Sequence, residues 1–131
     1  MRRYAPLALV LLSGCGTAGA DLMVVDRSGS IAGAELHMRV IDDGQVECNG
    51  SMHDLGSDEL IEAREVEREL AEQATGNVSL PPGPGAILRF RIRTEDGLVG
   101  FSDTSPRQPQ IFYRAAQLVR TIAKGACGLE R

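Results

Sequence analysis

Hydrophobic and polar positions alternate over several short stretches of this chain. In Ala34–Val40, the residues Leu36, Met38 and Val40 share one face, and Glu35, His37 and Arg39 share the other. A period of two marks a strand buried on one side. Ile87–Arg93 repeats the pattern strictly, with Leu88, Phe90 and Ile92 set against Arg89, Arg91 and Arg93. Asp42-Asp43-Gly44 and Glu95-Asp96-Gly97 are hairpin turns. They return the chain into short strands at Gln45–Cys48 and Leu98–Phe101. Leu22–Val25 is a further apolar run of strand length, expected to stop at the turn-rich segment Asp26–Ser30.

Two segments carry the helical period instead. Leu60, Ala63, Val66 or Glu67, Leu70 and Ala74 recur at helical spacing behind Ser57-Asp58-Glu59, with Gly76 at the end. Ser57 is expected to cap this helix, and the two acids favour its N-terminus. Its outer face holds Glu62, Glu65, Glu69 and Glu72, offset by Arg64 and Arg68, and reads as a solvated surface. A second helix is expected over Pro109–Lys124, on Phe112, Ala115, Leu118 or Val119, and Ile122, with Gly125 as its stop. Between the helices, Leu80-Pro81-Pro82-Gly83-Pro84-Gly85 is a stiff loop. The order of elements predicts an α+β two-layer sandwich. Its sheet has four to five mostly antiparallel strands, with both helices on one face.

The first residues read as an export signal. Met1-Arg2-Arg3-Tyr4 is basic, and Ala5–Leu12 is an apolar run too short to span a bilayer. Leu12-Ser13-Gly14-Cys15 then has the form of a bacterial lipobox, in which the Cys thiol takes a diacylglyceryl group and becomes the first mature residue. Residues 1–14 are therefore expected to be removed, 15–20 to be a lipidated Cys and tether, and 21–131 to form a single domain. Several acyl chains on Cys15 would hold the protein to a membrane from outside the cytoplasm. The alternative is cleavage after Ala18-Gly19-Ala20, which would release a chain beginning at Asp21.

Lipidation of Cys15 leaves Cys48 and Cys127, an even pair in an oxidising compartment. A disulfide between them is expected.

Composition narrows the function classes. A chain of 131 residues is one domain. Removal of residues 1–14 leaves 117 residues with 12 basic and 18 acidic side chains, a net charge of −6. That acidic balance, with aromatics at 4% and no Trp, argues against a nucleic-acid partner. His37 and His53 have no helical partner and no Cys-x-x-Cys nearby, so no metal site is expected. Ser28 or Ser30 with His37 or His53 would supply the residue types for acyl transfer, but no nucleophile elbow surrounds them. No cofactor motif is present, and the chain is read as a binding protein, not an enzyme.

Two segments are candidate partner-binding sites. The first is the stripe Arg89, Arg91, Arg93, which would dock an acidic partner or anionic headgroups; the competing reading is an exposed sheet face neutralised by Glu35 and Glu47 on neighbouring strands. The second is Ser28, Gly29, Ser30, Ile31, Ala32 and Gly33, a permissive loop with one lone apolar residue, Ile31, which is either presented to a partner or tucked into the core.

A strand followed by Arg27-Ser28-Gly29-Ser30-Ile31-Ala32-Gly33, then strand, helix, hairpin and final helix, resembles the emfourin family. Emfourins are small bacterial inhibitors of thermolysin-like metalloproteases. Ser30 and Ile31 stand where the family favours Gly and Phe, and the lipobox, Cys48 and Cys127 are additions to the pattern. The resemblance implies a protein partner, a metalloprotease, contacted by the Ser28–Gly33 loop. The reading drawn from residues alone is an envelope lipoprotein with a structural or interaction role and no protease target.

Overall fold

The computed structural model describes residues 19–131. The expected export signal and lipobox, with Cys15, lie outside the described residues. Six strands and two helices follow in the order β1 (Asp21–Gly29), β2 (Leu36–Ile41), β3 (Gln45–Cys48), β4 (Ser51–Asp54), α1 (Ser57–Thr75), β5 (Leu88–Thr94), β6 (Gly97–Ser102) and α2 (Gln110–Lys124). The strands form one sheet in the order β4-β3-β2-β1-β5-β6, and every ladder between them is antiparallel. The fold is α+β, as the alternation predicts, with six strands in place of four to five.

The extra strand is β4. Its residues Ser51-Met52-His53-Asp54 are exposed or half-buried and carry no apolar alternation. They pair only because the Asn49-Gly50 turn, with Asn49 at φ 49° and Gly50 at φ 88°, folds the chain back onto β3. β1 is also longer than its apolar run. Asp26 and Ser28 point to the open face and Arg27 turns inward, so the period of two continues through the polar segment to Gly29.

Both helices lie on one face of the sheet, where Met23, Val25, Met38, Val40, Val46, Ile92 and Val99 are almost fully enclosed. The three phenylalanines meet in one stack. The Phe90 and Phe101 centroids lie 5.1 Å apart, and Phe101 and Phe112 lie 4.6 Å apart. This column joins β5, β6 and α2, and aromatic pairs of this kind add about 0.5–1.5 kcal/mol each beyond their burial.

Ser57 does not cap α1. The N-cap is Gly56, which makes no side-chain hydrogen bond. A Cβ at Gly56 would collide with the Glu59 carboxylate, which occupies that space. The acidic face of α1 is also less open than expected. Arg114 of α2 reaches across to Glu62 (2.6 and 2.8 Å), Glu65 (2.7 Å) and Glu69 (2.5 Å). Arg64 does not offset these acids but binds Asp42 at 2.6 Å.

Cys48 and Cys127 form the expected disulfide, with a Cα–Cα distance of 6.0 Å. It ties β3 to the segment that follows α2. Ala20 accepts a hydrogen bond from the Asp42 N–H at 2.8 Å, so the expected tether meets the sheet there. At the far edge, Ser79 forms a parallel bridge with Gly100, through Leu80 N–H to Gly100 O (2.9 Å) and Gly100 N–H to Val78 O (3.0 Å). The proline-rich loop therefore begins by covering the outer edge of β6. Among the described residues, no helix is long and apolar enough to cross a membrane.

Candidate functional site: a braced loop and an uncovered sheet face

The Ser28–Gly33 loop leaves the end of β1, and its conformation is set by Arg27. Arg27 shares its side of β1 with Met23 and Val25, and is 3% exposed. Its Nε donates to the carbonyl of Ala34 at 2.9 Å, and its Nη2 donates to Gly33 (3.2 Å) and to Arg131 (3.1 Å). The side chain thus satisfies main-chain acceptors that a turn would otherwise leave open. Burial lowers the pKa of Arg27 below its usual value, and the neighbouring Arg131 charge pushes the same way.

Three other contacts complete the loop. The Ser30 N–H donates to Ile87 O at 3.1 Å, and the Ala34 N–H to Ile31 O at 3.2 Å. Gly33 sits at φ +77°, a left-handed conformation that suits glycine, with the Arg131 side chain 3.6 Å from where a Cβ would stand. Ser30, Ala32 and Gly33 are exposed, as is Gly29, while Ser28 is half-buried. Ile31 is neither free nor in the core. It is half-buried over a groove of about 640 Å³, with Leu88, Phe90, Tyr113 and Ala116 around it.

Arg89, Arg91 and Arg93 are all exposed on the face opposite the helices. None forms an ion pair with a described residue. The expected neutralising acids are placed elsewhere. Glu47 binds Arg39 at 2.8 Å, and β5 lies between β1 and β6, away from β3. Glu35 lies just before β2, beside the groove that Arg89 and Arg91 line, and pairs with neither. Asp26, the register partner of Arg91 on β1, instead bonds His37 Nδ1 at 2.7 Å.

The sheet register therefore assembles a row that the sequence order hides. His37, Asp26, Arg91 and Gly100 lie side by side across β2, β1, β5 and β6, and Ser79 extends the row past the edge. A groove of about 770 Å³ runs over this row and the next, with Asn77, Leu80 and Pro82 as one wall. The structure brings His37 to Asp26, but Ser28 makes no hydrogen bond to either among the described residues. His53 lies apart on β4.

A third cluster joins distant parts of the chain. Carboxylate oxygens of Glu67 on α1 and of Glu95 and Asp96 in the β5–β6 turn lie within 4.8 Å of one another. Partial burial, and then the charges of Glu95 and Asp96, raise the pKa of Glu67. Their separation in sequence conceals them, whereas the parity of Arg27 with Met23 and Val25 is the one signal that pointed to its inward position. Such a group of acids is common on surfaces and is not by itself a metal site.

No family model, no curated protein and no solved structure matches this chain.

Proposed function

We propose that this chain is an exported, lipid-anchored binding protein that engages a protein partner through the Ser28–Gly33 loop, as an emfourin-like inhibitor of a thermolysin-like metalloprotease. The observation that carries the reading is the bracing of that loop. An exposed turn held from behind by a buried guanidinium fork is already ordered, so binding costs it little conformational entropy. Its small side chains admit a close approach, and Ile31 supplies an apolar contact at the rim. The Cys48–Cys127 disulfide suits an oxidising compartment and supports export. The lipobox assigns the anchor to Cys15.

The test is to titrate a thermolysin-like protease with the purified protein and follow peptide hydrolysis. Inhibition at nanomolar to micromolar concentration, lost in Ile31→Asp, is the expected result. Unchanged hydrolysis at large excess removes the inhibitor reading. The mass of the N-terminal peptide from membranes tests the anchor separately, because diacylglyceryl on Cys15 and a free chain from Asp21 differ unambiguously.

A further inference from the structure

The open face of the sheet carries a second, independent recognition surface. We propose that Arg89, Arg91 and Arg93, with the groove beside them, bind an extended acidic peptide whose carboxylates fall at every second residue.

The first support is the charge balance. The chain has more acids than bases, yet these three guanidinium groups are without an ion pair among the described residues and, unlike the scattered unpaired Arg68, Arg107 and Arg120, they share one face of one strand. The one acid beside them in the ladders, Asp26 opposite Arg91, is bonded to His37, and Glu47 lies three strands away on β3 against Arg39. Arginine in this state offers a planar fork that takes a carboxylate through two parallel hydrogen bonds.

The second support is spacing. The three residues occupy alternate positions of β5, so their Cα atoms repeat about every 6.6 Å and span about 13 Å. A partner in extended conformation repeats its own same-side residues at that interval. Acids at every second position meet the three arginines in turn, whereas a contiguous acidic run sends half of its charges away.

The third is shape. On the β6 side of Arg91 the sheet has no side chain at Gly100, on the β1 side it has Asp26, bonded to His37, and beside Arg89 it has the small Ser28 and Ser102. The floor is low there, and the Leu80 and Pro82 wall rises next to it. A Cβ at Gly100 would stand 3.2 Å from Ser79 Oγ and lift that floor. A backbone can therefore settle between the arginines and the wall.

The experiment compares two labelled synthetic peptides by fluorescence anisotropy against the purified chain at physiological salt. One has Glu at every second position among Thr residues; the other has the same composition with its Glu residues in a block. The alternating peptide is expected to bind at least about tenfold more tightly, and the Arg89→Gln, Arg91→Gln, Arg93→Gln triple variant to lose at least about tenfold. Ile31→Asp, which disables the loop, leaves this binding unchanged, so the two surfaces are distinguished. Equal affinity for both peptides, unaltered binding by the triple variant, or stronger binding of polyphosphate than of the alternating peptide would overturn the proposal. Circular dichroism of the triple variant reports its fold; the single variant Arg91→Gln, with a smaller loss expected, repeats the test with minimal change.

Discussion

Nη2 of Arg27 donates to the main-chain oxygen of Arg131 at 3.1 Å, across 104 positions of sequence. The same nitrogen holds Gly33, so one guanidinium ties the first strand, the following loop and the tail together. Arg27→Met keeps the apolar stem but removes the donors. It is expected to destabilise the protein by about 1–3 kcal/mol, the cost of leaving buried acceptors unpaired. Urea unfolding measures the loss, and faster amide exchange over 30–34 and 127–131 locates it.

Arg131 also explains a dependence on the disulfide. Cys127 follows α2 and fixes the segment that carries Leu129 back to Ala123 through a 2.8 Å hydrogen bond. Replacing both Cys48 and Cys127 by Ala opens a loop with a sequence separation of 79. The expected loss is about 3–5 kcal/mol on the loop-entropy account. Thermal unfolding with and without reductant checks it, and the wild type under reductant should fall to the level of the double variant.

Phe112 is fully enclosed and ends the aromatic column. Phe112→Ala removes a stacked ring and leaves a cavity between α2 and β6, at an expected cost of about 3–5 kcal/mol. Phe112→Leu should cost less than half of that. Chemical denaturation of the two variants side by side distinguishes packing volume from mere hydrophobicity.

The two perturbed glutamates of α1 predict opposite pH dependences. Hydrogen bonds from Arg114 lower the pKa of Glu62. Its contribution is present above the pKa of the unfolded chain and is lost as pH falls through the lowered folded value. Burial and the neighbouring acids raise the pKa of Glu67. Its contribution is fully present below the unfolded pKa and is lost as pH rises through the raised folded value. Glu67→Gln is therefore expected to unfold at higher temperature than wild type at neutral pH, with the gap closing in acid. Glu62→Gln should unfold at lower temperature at neutral pH and converge in acid. Melting curves from mildly acidic to neutral pH test both signs.

Much of this architecture is legible where side-chain parity is clean. Leu88, Phe90 and Ile92 against three arginines announce β5 and its faces, and Phe112, Ala115 and Ile122 announce α2. Parity fails at β4, whose four residues bury almost nothing and are held by the Asn49-Gly50 turn and backbone pairing. At Arg27 parity points inward, but charge masks it, because a charged side chain inside a strand looks like the end of one until its carbonyl partners are known. Sites built by register across the sheet, such as Asp26 with His37 or Arg91 with Gly100, depend on which strands become neighbours. The β1–β5 pairing that decides this joins segments separated by three strands and a helix.

The margins of the sheet have a consequence for how copies of this protein coexist at high density. On one flank Val78 and Leu80 already occupy the main-chain groups of Gly100, and on the other only four residues of β4 stand unmatched. Lateral stitching of neighbours into continuous ribbons, the first step toward fibrils, has almost no template to start from. Crowded molecules can therefore keep their broad arginine-bearing surface available without polymerising through their rims.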